Sequence, residues 1–488
     1  MRLDEVCQGI EYRIEQGSLA TEITGICYDS RQVRPGNLFV CIVGEKTDGH
    51  LFAQQAVESG AAAILAERKV DIGKQVALVI TSDTRAGLSQ IAANYYGHPS
   101  RQLRVIGVTG TNGKTTTTHL IQAILNEQQK KTGIMGTLYA RLGSISKDYG
   151  HTTPESVDIQ EFFRLLVDNG AEYAVMEVSS HALELGRVDS IDFDVALFTN
   201  LTQDHLDYHK TMEKYRDAKL KLFTMIKNQP ASYCIINGDD PAAEYFTQAS
   251  QVPYYTYGIK SAADIRAVKI HNTLKNSQFE VVFANQSFDI KMKLIGEFSV
   301  YNALAAIAWA LAEKVPIPII QKALAAVEGV PGRFEQIDLG QNYTVVVDYA
   351  HTPDGLENVL QVARQLVQNR LITVFGCGGD RDRTKRPLMG AIAGQYSNFC
   401  IITSDNPRTE DPQAIIDDIL PGLEQIETAR YAVIPDRREA IKHAIHIAKE
   451  GDLVVIAGKG HETYQLVMGQ VLDFDDRQVA AEMIEEKM

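Results

Sequence analysis

The sequence predicts an α/β protein of three domains: a smaller mixed α/β domain first, a central P-loop-type domain with a mostly parallel sheet, and a Rossmann-like C-terminal domain. Three observations carry this. A chain of 488 residues exceeds what one hydrophobic core supports. Two turn clusters, Tyr96-Gly-His-Pro-Ser100 and Gly329-Val-Pro-Gly332, divide it into blocks 1–98, 99–330 and 331–488. Within the second and third blocks, short apolar runs alternate with helix-periodic segments, the pattern of parallel strands joined by crossover helices.

The elements follow in order. The first block has strand-like runs over 25–28, 38–42, 63–66 and 77–80, with helical patterns over 52–58 and 85–96. The second opens on an apolar strand entering a glycine loop. It continues with apolar runs over 173–178, 195–199 and 233–237 and a helix over 212–223. An alternating stretch, 265–295, predicts antiparallel strands at a sheet edge, and a buried helix follows over 301–313. The third block repeats the alternation, with strands over 343–348, 371–375, 399–403 and 453–456.

Composition narrows the class. With 45% hydrophobic and 23% charged residues the chain reads as globular. A formal net charge of -14 argues against nonspecific binding to nucleic acid or anionic membrane, and leaves room for local basic clusters. The six cysteines are scattered without a C-x-x-C pair, so neither a zinc site nor a disulfide framework is expected. No secretory leader pattern opens the chain, and its most apolar helical stretch, 303–312, is too short to span a bilayer. A cytoplasmic protein is expected.

The chemistry begins at Val105-Ile-Gly-Val-Thr-Gly-Thr-Asn-Gly-Lys-Thr-Thr116. A strand, a small-residue loop (Gly110, Thr111, Asn112, Gly113) and a helix opening on Lys114, Thr115 and Thr116 form a phosphate cradle. The glycines admit an oxyanion to backbone N–H groups, and the helix N-terminus adds positive potential. Lys114 can reach the β/γ-phosphates of ATP, and the Thr115 hydroxyl can sit on Mg²⁺. Val108 occupies the first glycine position of the usual G-x-x-x-x-G-K-[ST] pattern.

Further candidates end the other strands, where α/β sheets place ligands. Glu177 is a candidate Mg²⁺ ligand beside Thr115. His205 lies between Asp204 and Asp207. Lys219, on its helix, reads by periodicity as a solvated lysine. Arg333 stands at the second linker, able to reach across a cleft to a transferring phosphate. Asp348 and His351 follow the first strand of block three. Gly376-Cys-Gly-Gly-Asp-Arg-Asp-Arg383 is glycine-rich but lacks the G-x-G-x-x-G dinucleotide fingerprint. With Asp405-Asn-Pro-Arg408 and Gly458-Lys-Gly-His-Glu462, it predicts a crevice for a small zwitterion.

Gly110-Thr-Asn-Gly-Lys-Thr-Thr116, Glu177-Val-Ser-Ser-His181, Asp204-His-Leu-Asp207, Gly332-Arg-Phe-Glu335, Asp348-Tyr-Ala-His351 and Gly458-Lys-Gly-His-Glu462 resemble the motifs of the Mur ligases, ATP-dependent amino-acid ligases of peptidoglycan synthesis. The match runs in order along essentially the whole chain and is most similar to the diaminopimelate-adding members. The resemblance implies phosphorylation of the γ-carboxylate of D-glutamate in UDP-N-acetylmuramoyl-L-alanyl-D-glutamate, then attack by the amine of meso-diaminopimelate. Lys114, Lys219, His205 and Arg333 would be catalytic. ATP would be held by residues 110–116 with Asn302, Arg333 and Asp348. Mg²⁺ would be held by Thr115, Glu177, His205 and Lys219, the last carbamylated. The UDP substrate would meet Ser30, Glu45, Lys46, Thr47, Thr152, Thr153, Ser179, Leu185 and Arg187; Leu185 stands where some relatives carry a polar residue. Diaminopimelate would meet Arg383, Asp405, Asn406, Pro407, Arg408, Gly458 and Glu462. A monomer without nucleic-acid or membrane partners is expected.

Diaminopimelate has a second carboxylate at its far end, which Arg408 matches bidentately; lysine would leave that arginine unpaired. A lysine-adding or folylpolyglutamate-forming ligase is the alternative within enzymes, and a nucleotide-binding regulator without catalysis the alternative outside them. Such a regulator should have lost Lys114, Glu177, Lys219 or Arg333, and all four are present.

Overall fold

The computed structural model describes residues 1–44 and 47–488, so Glu45 and Lys46 lie outside the described residues. The first sheet contains β1 (Arg13–Gln16), β2 (Gly25–Cys27), β3 (Asn37–Val40), β4 (Ala63–Ala66) and β5 (Ala77–Ile80) in the order β1-β5-β4-β3-β2. Only β1 runs antiparallel to its neighbour. β3, β4 and β5 are buried on both faces, which explains their unbroken apolar runs.

The central sheet has eleven strands: β6 (Arg104–Thr109), β7 (Thr132–Met135), β8 (Ala140–Leu142), β9 (Ile145–Lys147), β10 (Tyr173–Glu177), β11 (Val195–Phe198), β12 (Tyr233–Asn237), β13 (Tyr254–Gly258), β14 (Ile265–Asn272), β15 (Ser277–Phe283) and β16 (Gln286–Met292). Their order is β16-β15-β14-β13-β12-β11-β6-β10-β7-β8-β9, parallel from β14 to β7 and antiparallel at both margins. β6 lies between β10 and β11, so the chain winds away from it in both directions. A crevice therefore opens at its carboxyl end. One face is covered by helices Lys114–Glu127 and Glu297–Ala312, around a fully buried Trp309. The other is covered by Phe162 and Phe163 of helix Ser156–Asp168 and by Leu222 and Phe223 of helix Met212–Met225.

The third sheet is β17 (Glu335–Gln336), β18 (Thr344–Asp348), β19 (Leu371–Phe375), β20 (Phe399–Ile402), β21 (Tyr431–Val433) and β22 (Leu453–Ala457), in the order β17-β18-β22-β19-β20-β21. All but β17 are parallel, with an apolar core on each face. A hairpin of β23 (Tyr464–Val467) and β24 (Gln470–Asp473) stands apart. The fully buried pair Arg437–Asp476, 2.7 Å apart, ties the last helix to helix Arg437–Ile447, and Arg437 also donates to Ala457 O of β22 (2.9 Å).

The strands expected from apolar runs form within two residues of their predicted ends. The alternating stretch forms the antiparallel edge β14-β15-β16. The buried helix begins at Glu297, one turn before the predicted start, because the polar Glu297 and Ser299 interrupt the apolar run in its first turn. The β8–β9 hairpin was not anticipated: three-residue strands carry too little periodicity. No helix among the described residues is long and apolar enough to cross a membrane, and all six cysteines are buried free thiols.

Candidate active site

β6 delivers its last residue, Thr109, to the crevice, where the chain turns through Gly110 and Gly113 at φ 147° and 86°. A Cβ on Gly110 would lie 1.9 Å from Thr199 Oγ1, and one on Gly113 2.3 Å from Asn302 Oδ1. Both positions therefore require glycine for space as well as for backbone angle. The loop is pinned from β11: Thr111 N donates to Asn200 O (2.9 Å), Asn112 N to Asn200 Oδ1 (2.9 Å), and Thr199 Oγ1 to Asn112 O (2.6 Å). The helix beginning at Lys114 has no side-chain cap, so its first-turn N–H groups are offered to an anion. Lys114 Nζ turns back onto Gly110 O (2.9 Å) and Thr111 O (2.8 Å). Burial, aided by Arg333, lowers the Lys114 pKa.

Glu177 closes β10 beside this loop, buried, and accepts from Thr115 Oγ1 (3.0 Å), Thr137 N (2.9 Å) and Thr137 Oγ1 (3.1 Å). Gly136 makes room: its Cβ would stand 2.1 Å from Glu177 Oε1. Arg333 arrives from the linker and donates to Thr115 Oγ1 (3.2 Å), its guanidinium 4.6 Å above the Tyr349 ring. Its Nε is buried without a partner among the described residues, an orphan donor on a residue that lines the cleft.

Lys219 departs from the solvated position its helix predicts. It is 1% exposed, donates to Gly110 O (2.8 Å) and lies 4.3 Å over Tyr215. Burial first, and Lys114 second, lower its pKa well below that of an ordinary lysine. His205, at φ 56°, places Nε2 3.2 Å from Asp204 Oδ2, and its ring meets His181 edge-on. Desolvation keeps this imidazole neutral, with a lone pair for a ligand.

The donor set fits Mg²⁺ in part. A threonine hydroxyl and a strand-end carboxylate are the hard oxygens that ion prefers. The described residues contain no cluster of three His, Cys, Asp or Glu able to hold a metal.

A cavity of about 320 Å³ between the central and third sheets is lined by Gly113, Tyr301, Asn302, Asp348 and Asp354. Asp348 accepts from Phe334 N (2.6 Å) and Ala350 N (2.7 Å), and burial raises its pKa. Asn112 Nδ2 donates to Asp354 Oδ2 at 2.6 Å, joining the phosphate loop to helix Pro353–Leu366.

A second cavity, about 610 Å³, is lined by Ser30, Thr47, Gln55, Arg85 and Glu155. Ser30 Oγ donates to Gln55 Oε1 (3.1 Å). Glu155 binds Arg85 (3.4 Å) and Arg187 (2.9 Å), linking this cavity to the central sheet. From there Arg187 donates to Thr153 O (2.9 Å), Thr153 Oγ1 to Glu177 O (2.9 Å), and Thr152 Oγ1 lies 3.1 Å from Thr137 Oγ1. Ser179 caps the short helix Ser180–Glu184, and Leu185 ends it half-buried.

The third sheet carries the loops expected to form the zwitterion crevice. Arg408 adopts φ 55° and donates from Nη1 to Gly379 O (2.7 Å) and Asn406 O (3.4 Å). Asn406 Nδ2 donates to Glu462 Oε2 (2.8 Å). Gly458 lies against Asp405, where a Cβ would be 2.4 Å from Oδ2. Pro407 contributes its carbonyl, which leaves no room for a Cβ on Gly379 (2.0 Å). Arg383 stands apart from this group: it is exposed and paired with Asp418 at 3.0 and 3.2 Å. Sequence reasoning missed Thr137, Glu155, Asp354 and Lys459. Of these only Lys459 lay within a quoted motif, and only Thr137, just past a strand end, carried a positional signal.

A phosphate loop with a strand-end carboxylate, facing a second α/β domain across a cavity, is the arrangement of a nucleotide-using enzyme. Family models agree on three segments: the Mur ligase family catalytic domain matches residues 22–96, the Mur ligase middle domain 108–310, and the Mur ligase glutamate ligase domain 332–460. The UDP-N-acetylmuramoyl-L-alanyl-D-glutamate–2,6-diaminopimelate ligase of Syntrophomonas wolfei is 60% identical over 100% of both chains. The protein of that name from Geobacillus thermodenitrificans is 49% identical over 96% of both. A solved structure, again of a ligase of that name, superposes with a TM-score of 0.68 at 35% identity, covering 100% of this chain and 99% of the other. The chain belongs to the Mur ligase family, and is an ATP-dependent amide-bond-forming ligase.

Proposed function

We propose that this ligase adds meso-diaminopimelate to UDP-N-acetylmuramoyl-L-alanyl-D-glutamate, releasing ADP and phosphate. The observation that carries the choice of amino acid is the Arg408 loop, stitched to Asn406 and Glu462 at the carboxyl end of the third sheet. Its guanidinium suits the distal carboxylate, and Glu462 suits an ammonium. The relatives of that name support the same substrates.

The residues take distinct parts. An oxygen of the D-glutamate γ-carboxylate attacks the γ-phosphorus of ATP, and ADP departs. The amine then attacks the acyl carbon, loses a proton, and expels phosphate. Lys114, Arg333 and the first-turn N–H groups neutralise charge on the transferring phosphoryl group. Mg²⁺ would supply further charge neutralisation, held by Thr115 and Glu177, with His205 and carbamylated Lys219 at a second ion. Carbamylation joins the uncharged Lys219 amine to CO₂ with loss of a proton, and burial of Lys219 supports it. Asn302 and Asp348 line the nucleotide cavity. Ser30 and Thr47 would meet the UDP end, and Thr152, Thr153, Ser179, Leu185 and Arg187 the muramoyl-peptide.

We assign residues 1–98 to the UDP substrate, 99–330 to ATP and 331–488 to the amino acid, in a cytoplasmic monomer. The test is phosphate release from ATP with the UDP-muramoyl-dipeptide, comparing meso-diaminopimelate with L-lysine. Release with diaminopimelate alone is expected. Release with lysine alone overturns the reading of Arg408.

A further inference from the structure

Within Gly458-Lys-Gly-His-Glu462, the side chain of Lys459 is wholly buried at 0% exposure, yet it is assigned no part above. Its Nζ donates to Glu462 Oε2 (2.9 Å) and Asn406 Oδ1 (3.2 Å), and lies 5.5 Å above the Tyr464 ring. Asn406 Oδ1 also accepts from Leu466 N of β23 (2.9 Å). Two obligate donors thus fix the amide, and its NH₂ must face Glu462. Glu462 Oε2 accepts from both Lys459 and Asn406, while Oε1 has no protein partner among the described residues.

We propose that Lys459 is a positioning residue of the amino-acid site, holding the Glu462 carboxylate ionised and turned so that Oε1 accepts the ammonium of the incoming amino acid. The inference rests on the reading that Asn406 and Glu462 bind that amino acid. The site geometry gives Glu462 Oε2 one cationic and one amide donor, and the surrounding charges act in both directions. Burial and the neighbouring Asp405 both push the Glu462 pKa up, and the Lys459 and Asn406 bonds oppose them. Arg408 and Arg437 also face this group, but as more distant charges; Arg437 is bound to Asp476, and Tyr349 and Tyr464 are neutral neighbours. Lys459 is the cation in direct hydrogen-bond contact with Glu462. The flanking glycines serve this placement. Gly458, at φ 117°, abuts Asp405, and a Cβ on Gly460, at φ 54°, would lie 2.7 Å from Tyr349 Cβ.

The test is steady-state kinetics of Lys459→Met against wild type, varying meso-diaminopimelate and ATP separately across pH. Loss of one charged hydrogen bond at Glu462 predicts a KM for diaminopimelate raised roughly 10- to 100-fold, with KM for ATP unchanged. Without Lys459 the Glu462 pKa rises. Activity that needs its anion is then lost sooner as pH falls and kept at high pH, so the acid limb of kcat/KM for the amino acid moves upward. Lys459→Arg should restore the wild-type limb. On a Glu462→Gln background, Lys459→Met should cost little more, because the group it serves is already neutral. Should Lys459→Met not fold, Lys459→Gln carries the same comparison. An unmoved acid limb with unchanged KM for the amino acid overturns the inference. If wild type takes L-lysine instead, the diaminopimelate reading fails separately, and the Lys459 comparison is made with L-lysine.

Discussion

Replacing Arg408 by alanine should abolish discrimination among diamino acids while leaving nucleotide use intact. The side chain donates to Gly379 O and Asn406 O through Nη1 alone, so Nη2 and Nε remain for a ligand. Burial, with Arg381 adding, lowers its pKa, so the guanidinium lacks a sufficient counter-charge. It has little freedom to turn away, since a Cβ on Gly378 would already lie 2.8 Å from Nη1. Two charge-assisted bonds to the distal carboxylate are worth about 3–4 kcal/mol together. That predicts a fall in kcat/KM for meso-diaminopimelate of roughly 10²- to 10³-fold, carried mostly by KM. The assay is phosphate release at saturating ATP and UDP-muramoyl-dipeptide, with each amino acid titrated. KM for ATP should hold, and the preference over L-lysine should collapse, because lysine no longer strands a half-buried cation. A change below about threefold for diaminopimelate, by the same arithmetic, refutes the reasoning.

Three other outcomes are expected. Lys219→Ala should remove most activity, and short carboxylates added to the assay should return part of it; full activity in the variant would eliminate a carbamate at this position. Asp354→Ala frees Asn112 of its 2.6 Å bond to the third domain, and should raise KM for ATP by about tenfold without changing KM for the amino acid. Arg437→Ala leaves Asp476 buried without its partner, and urea denaturation should show a loss of about 3–5 kcal/mol.

The phosphate loop was legible because strand, glycine turn and helix are adjacent in the chain, and each is a local physical requirement. Glu177, Asp348 and Asp405 were legible for a related reason: an apolar run ending in a carboxylate marks the rim of an α/β sheet. Lys219 was not. Its helical position is that of a solvated lysine, and its burial comes from packing against Gly110 and Tyr215. Thr137 gave only a strand-end hint, and Asp354 none, because their partners Glu177 and Asn112 lie 40 and 242 residues away. Arg383 shows the converse: it sits in the right loop, yet Asp418 of another helix takes its guanidinium.

The sequence by itself therefore determined the α/β class, the nearly unbroken strands and the identity of most loops that reach the crevice. Periodicity and turn chemistry act within a few residues, and they decide those features. Tertiary structure alone decided which loops meet, which lysines lose their water, and which carboxylates acquire a partner. These depend on strand order, where β6 falls between β10 and β11 and β22 between β18 and β19, and no local pattern specifies that order.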